Sequence, residues 1–173
     1  MTQKLKPVIN VFWMRRDLRL EDNTALYHAL KTRENVLPLF IFDVDILEQL
    51  EFRPDYRVNF IHKTLLELKA YLESIGSSIY IAHGKSLDIF KQLTENYHVC
   101  SVYTNRDYEP SAIERDHQVE RFLAHNKIEF QTYKDHVIFE KDELVKNDGK
   151  PYTVFTPYKT SLLRSSIWRW LRL

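Results

Sequence analysis

Residues 8–32 read VINVFWMRRDLRLEDNTALYHALKT, a short apolar run followed by a charged loop and then a helix signal. VINVFW at 8–13 is rich in β-branched and aromatic residues, which favour a buried strand. Asp22 and Asn23 precede TALYHALKT, and both residue types commonly cap a helix. The stretch therefore predicts a strand, a polar loop, and a helix capped by Asp22 and Asn23.

The same order of strand and then helix recurs along the chain. The further predicted strands are VLPLFIF at 36–42, SIYIA at 78–82, VCSVYT at 99–104 and IEFQTY at 128–133. The predicted helices between them cover residues 55–74, a segment capped by Ser86, and residues 111–125. Short apolar strands that alternate with helices predict right-handed crossovers and a parallel sheet covered on both faces. The predicted fold class is α/β, a Rossmann-like arrangement of three layers around five parallel strands.

The alternation stops near Lys134. Turn-forming residues then follow at Asp148, Gly149, Pro151 and Pro157, and they predict a linker or surface excursion. We therefore expect an α/β domain over residues 1–135 and a C-terminal linker segment within residues 136–173.

Composition narrows the class of protein without identifying a function. The formal net charge of the 173 residues is +1, so any nucleic-acid-binding surface must be local. The single cysteine, Cys100, lies in an apolar run and is predicted to be a small buried hydrophobe. No signal-peptide pattern and no apolar run of membrane-spanning length is present, so we expect a cytoplasmic protein without a membrane partner.

Common cofactor and catalytic motifs are missing from the sequence. The three glycines form neither GxGxxG nor GxxxxGK[ST], which disfavours a dinucleotide dehydrogenase or a P-loop enzyme. No GxSxG sequence supports a serine hydrolase. The histidines and the cysteine lack zinc-ligand spacing, so no metal site is predicted.

Polar residues follow the predicted strands at the edge where parallel α/β sheets bind ligands. They are Arg15, Arg16 and Asp17 after the first strand, Asp43 and Asp45 after the second, His83 and Gly84 after the third, and Asn105–Glu109 after the fourth. Exposure of any strand-to-helix loop explains an individual polar residue equally well. An acid between arginines in RRDLR can also serve as part of an ion-pair network that fixes the loop.

The segment WMRRDLRLEDNTAL at 13–26 resembles the amino-terminal signature of the photolyase/cryptochrome family. The resemblance continues in family order through PLFIFD at 38–43, GSSIYIAHG at 76–84, NRDYEPSAIERD at 105–116 and GKPYTVFTPYK at 149–159. Residues 160–173 depart from the family's continuation. The resemblance implies the amino-terminal domain of a deoxyribodipyrimidine photolyase, a light-driven enzyme that repairs cyclobutane pyrimidine dimers. The alternative is the same domain of a cryptochrome photoreceptor.

The resemblance also implies cofactors and partners. A helical carboxyl-terminal domain would hold FAD and the damaged DNA, and residues 136–173 would link to that domain or begin it. No catalytic residue is therefore predicted within this chain. The α/β domain would carry a light-harvesting pigment, for which 8-hydroxy-deazaflavin or FMN is favoured. Methenyltetrahydrofolate is possible but less favoured, because Tyr108-Glu109 is followed by Pro110-Ser111-Ala112 where folate-binding members often have Asn-Glu.

The resemblance matches Asp17, Arg57 and Asp107 to pigment-contacting positions. Phe40 and Ile41 would supply an apolar bed, and Glu109 a further polar group at the ring edge. An ion pair between Arg57 and an aspartate that merely pins the helix is the competing interpretation. Lys150 and Lys159 are predicted to contact DNA phosphates in the full-length protein.

Overall fold

The computed structural model describes residues 5–50 and 55–170, with only the backbone described at 166–170. The chain divides into two compact units, residues 1–136 and 137–173. The strands of the first unit are β1 (Val8–Met14), β2 (Asn35–Asp43), β3 (Tyr80–Gly84), β4 (His98–Asn105) and β5 (Glu129–Tyr133). Its helices are α1 (Thr24–Leu30), α2 (Val44–Leu47), α3 (Tyr56–Ser74), α4 (Ser86–Asn96) and α5 (Pro110–His125). The second unit contains α6 (Phe155–Trp170).

The five strands form one parallel sheet in the order β3-β2-β1-β4-β5. β1 lies at the centre because the chain first builds outward through β2 and β3, and then returns to the other side of β1 for β4 and β5. The strand order therefore reverses between β1 and β4, which is where ligands enter sheets of this kind. The predicted α/β class and the five parallel strands are confirmed.

Two separate hydrophobic cores cover the two faces of the sheet. One contains Phe12 and Phe40 from the strands together with residues of α1 and α3, including Ala25 and Leu65. The other contains alternate strand residues together with residues of α4 and α5. Successive side chains of a strand point to opposite faces, which is why Trp13 belongs to the second core and its neighbour Phe12 to the first. The predicted three layers are confirmed.

The structure corrects two predicted helix caps and adds one short helix. Asn23 caps α1 as predicted, whereas Asp22 precedes the cap with a left-handed φ of 49°. Ser86 is not the N-cap of α4: Lys85 holds that position, and the Ser86 hydroxyl donates a hydrogen bond to Asp43. The sequence pattern does not predict α2, because four residues are too short to show helical periodicity.

The second unit contains more helix than the turn residues suggest. Residues 155–159, predicted as linker, form the start of α6. Pro157 is compatible with this because the first turn of a helix does not use its backbone N–H groups. Of residues 160–173, which we expect from the sequence to depart from the family's continuation, residues 171–173 lie outside the described residues. Within the described ranges, every helix is too short or too polar to cross a membrane.

Cys100 is only partly buried, in contrast to the predicted full burial. The partial burial raises the pKa of its thiol above the ordinary value, and the nearby Glu34 carboxylate adds to the effect.

Two adjacent leucines of α3 provide a direct test of the first core. Leu65 is fully buried, whereas Leu66 is 49% exposed. Leu65→Ala should lower the free energy of unfolding by about 2–5 kcal/mol, because it leaves a cavity between α3 and the sheet. Leu66→Ala should change it by no more than about 1 kcal/mol. Urea unfolding followed by circular dichroism measures both, and equal effects would contradict the packing of α3 described above.

Candidate functional site at the carboxyl edge of the sheet

A buried polar network joins β1, α1 and β4 at the carboxyl edge of the sheet. Its centre is the Asp17 carboxylate, whose Oδ2 accepts hydrogen bonds from Nδ2 of Asn23 at 2.8 Å and from Nδ2 of Asn105 at 2.6 Å. Nδ2 of Asn105 also donates to Oδ1 of Asn23 at 3.0 Å. All three side chains belong to buried residues. Buried polar groups are stable only when paired, so these residues constrain one another.

The same amide groups hold the start of α1. Oδ1 of Asn105 accepts from the backbone N–H of Ala25 at 3.0 Å, and Oδ1 of Asn23 accepts from that of Leu26 at 3.1 Å. Two N–H groups of the first turn, which have no partner within the helix, are thereby satisfied by side chains. The polar loop between β1 and α1 is fixed in this way without a glycine-rich turn.

Arg15 is buried beneath this edge. Its guanidinium donates to the Asp116 carboxylate and to the backbone carbonyl of Asn105. The Arg15 and Arg115 guanidiniums lie 5.2 and 5.0 Å from the centre of the Trp13 ring. Burial lowers the pKa of Arg15 from its ordinary value, although the Asp116 carboxylate opposes the change. Arg15 therefore links the end of β4 to α5 from the inside.

Arg16 lies on the exposed side of the place between β1 and β4 where the strand order reverses. We call this place the switch point. Its Nε lies 2.9 Å from Oδ2 of Asp107, and its Nη2 lies 2.5 Å from Oε2 of Glu109. The hydrogen bond to Glu109 is the largest cause of the raised pKa of Arg16. Burial opposes ionisation of Asp107, but the hydrogen bonds from Arg16 and from the backbone of Glu109 outweigh it and hold the pKa of Asp107 below its ordinary value. Arg16, Asp107 and Glu109 thus place one cation and two anions at the switch point.

A third arginine of the loop pairs with the segment after β5. Nη2 of Arg19 lies 2.6 Å from Oδ2 of Asp135, and Oδ1 of Asp135 accepts from the backbone N–H and the hydroxyl of Thr24. Burial works against the ionised form of Asp135, yet the Thr24 and Arg19 hydrogen bonds keep its pKa lowered. The next residue, His136, places Nε2 3.4 Å from Oδ1 of Asp17.

Comparisons with known proteins identify the family to which this arrangement belongs. A family model described as DNA photolyase matches residues 10–167. The chain belongs to the DNA photolyase family.

Relatives and solved structures agree with that assignment. The chain is 34% identical to a deoxyribodipyrimidine photo-lyase of Alkalihalophilus pseudofirmus, with 87% of this chain and 32% of that protein covered. It is 30% identical to cryptochrome-2 of Arabidopsis thaliana, over 91% of this chain and 26% of that protein. An archaeal photolyase from Sulfolobus tokodaii, solved with two FAD molecules, superposes with a TM-score of 0.71 at 32% identity, covering 88% of this chain and 34% of that one. The chain thus spans about a third of the length of the photolyases it matches.

The six residues predicted for a pigment pocket in this family member occupy different places. Asp17, Asp107 and Glu109 lie on the loops after β1 and β4, where Arg16 joins the last two. Phe40 and Ile41 are neighbours on β2 and belong to opposite cores, so they do not form one apolar bed. Arg57, in the first turn of α3, is largely exposed, and its Nη2 lies 2.7 Å from Oδ2 of Asp55. This is an ion pair with an aspartate, as the competing interpretation of Arg57 expects.

The basic residues predicted to contact DNA are exposed in the second unit. Lys150 ends a turn in which its carbonyl accepts from the backbone N–H of Lys146, and Lys159 lies on α6. Their role stays a prediction.

The sequence pattern does not identify the residues that organise the site. It includes Asn105 and Arg15 only among the polar residues that follow the strands, and it gives Asp135 no role beyond marking the predicted end of the domain. The position of Asn105 in the sequence is the signal that could have identified it. An asparagine that ends an apolar strand run is buried, and a buried amide requires several hydrogen-bond partners.

The depressed pKa of Asp107 predicts a pH-dependent stability. Because its pKa is lower in the folded state, Asp107 stabilises the fold above the ordinary aspartate pKa of about 3.9, and the contribution is lost as pH falls through the folded value. Asp107→Asn should therefore lower the unfolding temperature at pH 7, and the difference from the parent should shrink below pH 4.

Glu109→Gln is the matched control, since the Glu109 side chain is 60% exposed and exposed ion pairs contribute little. Thermal unfolding at several pH values distinguishes the variants. If the unfolding temperature of Asp107→Asn stays below that of the parent by the same amount down to pH 2, the ionic role of Asp107 is contradicted.

Proposed function

We propose that this chain is the pigment-carrying α/β part of a DNA photolyase that repairs cyclobutane pyrimidine dimers with light. The observation that supports this best is that the family match over residues 10–167 includes a cluster of charged side chains, Arg16, Asp107 and Glu109, at the switch point of the sheet. By resemblance to the family, FAD and the damaged DNA would belong to a helical domain of the full-length protein. The role of this chain would be to hold the light-harvesting pigment near that flavin.

The pigment would lie across the carboxyl edge of the sheet. Asp107 and Glu109 precede α5 on one face, and Arg57 opens α3 on the other, so a ring system lying over the strand ends would have polar groups at both edges. Asp17 is tied to Asn105 and Asn23, so it would act chiefly by fixing the loop beneath the ring. Of the two β2 residues, Phe40 lies on the α3 face of the sheet and Ile41 on the opposite face, which α4 and α5 cover, so each would contact a different part of the pigment.

Of the pigments that the family resemblance offers, we favour a flavin-type pigment, FMN or 8-hydroxy-deazaflavin, over methenyltetrahydrofolate. The Sulfolobus tokodaii photolyase was solved with two FAD molecules, which implied a novel light-harvesting cofactor in that protein. A flavin-type antenna in a related domain is in keeping with this observation. Pro110, the first residue of α5, follows Tyr108-Glu109 at the position where folate-binding members often have Asn-Glu.

Pigment titration tests the proposal. The parent chain should quench the fluorescence of FMN or 8-hydroxy-deazaflavin in a saturable way, and Arg57→Ala and Asp107→Ala should each weaken binding about tenfold, as loss of a charge-assisted hydrogen bond implies. Arg121→Ala is the control, because Arg121 is an exposed arginine on the outer part of α5. Unchanged binding by both variants would refute the residue assignment, and no saturable binding by the parent would refute a pigment site in this chain.

A cryptochrome photoreceptor is the second candidate, favoured by the 30% identity to cryptochrome-2 of Arabidopsis thaliana. Light-dependent loss of thymine dimers from irradiated DNA, measured with the full-length protein, would decide for repair.

The DNA contacts of the second unit form a separate proposal. Lys150 and Lys159 are both exposed, so they would neutralise phosphates in the full-length protein. Alanine at either position should reduce the slope of log K against log salt by about one unit, without altering the preference for dimers. Lys63→Ala, on the exposed side of α3, is the control. An unchanged salt slope in the Lys150→Ala, Lys159→Ala double variant would refute these contacts.

A further inference from the structure

Three side chains of types that bind metals meet at the hydrogen-bond network of Asp17, Asn23 and Asn105, which we call the Asn105 network and to which Asp17 belongs. They are Asp17, Asp135 and His136, and one oxygen or nitrogen atom from each lies within 4.8 Å of the others. We refer to them as the Asp-His cluster. Asp17 comes from the loop after β1, and the other two closely follow β5, so the fold brings together residues that are more than 100 positions apart in sequence.

The histidine nitrogen is the atom that points to a ligand. Nε2 of His136 is shielded from solvent and makes no hydrogen bond among the described residues, although it faces Oδ1 of Asp17 at 3.4 Å. A buried ring nitrogen without a partner is costly, and native structures usually satisfy it with a proton partner, a water or a metal ion. The lone pair of a neutral Nε2 and Oδ1 of Asp17 would therefore face one another across a gap that a cation would fill.

The charges around the gap also favour a cation. The Asp17 and Asp135 side chains are each only 4% exposed; Arg19, which is 41% exposed, pairs with Asp135, and His136 faces Asp17. The Asp135 carboxylate pairs with a guanidinium, whereas the Asp17 carboxylate accepts hydrogen bonds from the neutral amides of Asn23 and Asn105, so the charge of Asp17 is the less well compensated of the two. Buried charges are stable when they are paired or bind a metal, so a divalent ion would remove this imbalance.

We propose that the Asp-His cluster binds a divalent metal ion of the zinc type, through Oδ1 of Asp17, a carboxylate oxygen of Asp135 and Nε2 of His136. Mixed nitrogen and oxygen donors from three side chains, with water in the remaining position, are a typical ligand set for Zn²⁺. The ligands are already oriented by other groups, since Asn23 and Asn105 fix Asp17 while Thr24 fixes Asp135. Such support is characteristic of metal ligands and their outer partners.

The bound ion would join the β1–α1 loop to the end of β5. It would therefore stabilise the carboxyl edge of the sheet, and it would not take part in light absorption or repair. The site does not depend on the proposed function, because Asp17 is the one ligand shared with the pigment residues and it would still act from beneath the ring.

The test uses the 173-residue chain after treatment with a chelator and dialysis. Titration with Co²⁺, followed by visible absorption, should show d–d bands that saturate at one ion per chain, and Zn²⁺ should displace the Co²⁺ and raise the unfolding temperature. His136→Gln should weaken binding by at least about tenfold, because it removes the nitrogen ligand of the cluster. His125→Gln is the control, since His125 is an exposed histidine at the end of α5, and it should bind as the parent does.

Asp135→Asn provides a second variant that keeps the size of the side chain while weakening the ligand. It should also reduce Co²⁺ affinity. Absence of saturable d–d bands in the parent would overturn the proposal and leave an Asp17–His136 ion pair as the explanation. Equal affinity of the parent and His136→Gln would overturn it as well, because the metal would then be bound elsewhere.

Discussion

The side-chain amide of Asn105 is the interaction on which the carboxyl edge of the sheet depends. It donates to Asp17 and Asn23, and it accepts from the backbone N–H of Ala25. One buried group at the end of β4 thus fixes both the loop after β1 and the first turn of α1. Removing it would leave the N–H of Ala25 without its partner and the Asp17 carboxylate with one donor fewer, and an unsatisfied buried group costs about 1–3 kcal/mol.

The arginines of RRDLR extend this arrangement outward. Arg15 pairs with Asp116, Arg16 with Asp107 and Glu109, and Arg19 with Asp135. Each arginine of one short loop is therefore anchored to an acid from a different part of the sequence, whereas Asp17 between them pairs with amides. Many α/β proteins shape this edge with a glycine-rich loop that exposes backbone N–H groups to phosphate. Here hydrogen-bonded and ion-paired side chains hold the edge instead.

The sequence pattern predicted the fold because short apolar runs, typical of strands, alternate clearly along the chain with longer segments whose apolar residues have helical spacing. Each of the five apolar runs forms a strand, and Asn23 caps α1 as its residue type suggests. The pattern could not specify tertiary pairing: Arg16 and Asp107 are 91 residues apart, and nothing local indicates that they meet. Successive side chains of a strand point to opposite faces, so Phe40 and Ile41 of β2 lie on opposite sides of the sheet. Their apolar character and their position near the strand end do not by themselves show this separation.

Native-state hydrogen exchange of the Ala25 and Leu26 amides tests most directly whether buried side chains hold the carboxyl edge together. Both N–H groups lie in the first turn of α1, where helices usually fray, yet both donate to the side chains of Asn105 and Asn23. We predict that they exchange only through global unfolding, with an opening free energy equal to that of the β1 and β4 core amides. Exchange through local fraying, with an opening free energy near zero, would contradict the central role of the Asn105 network.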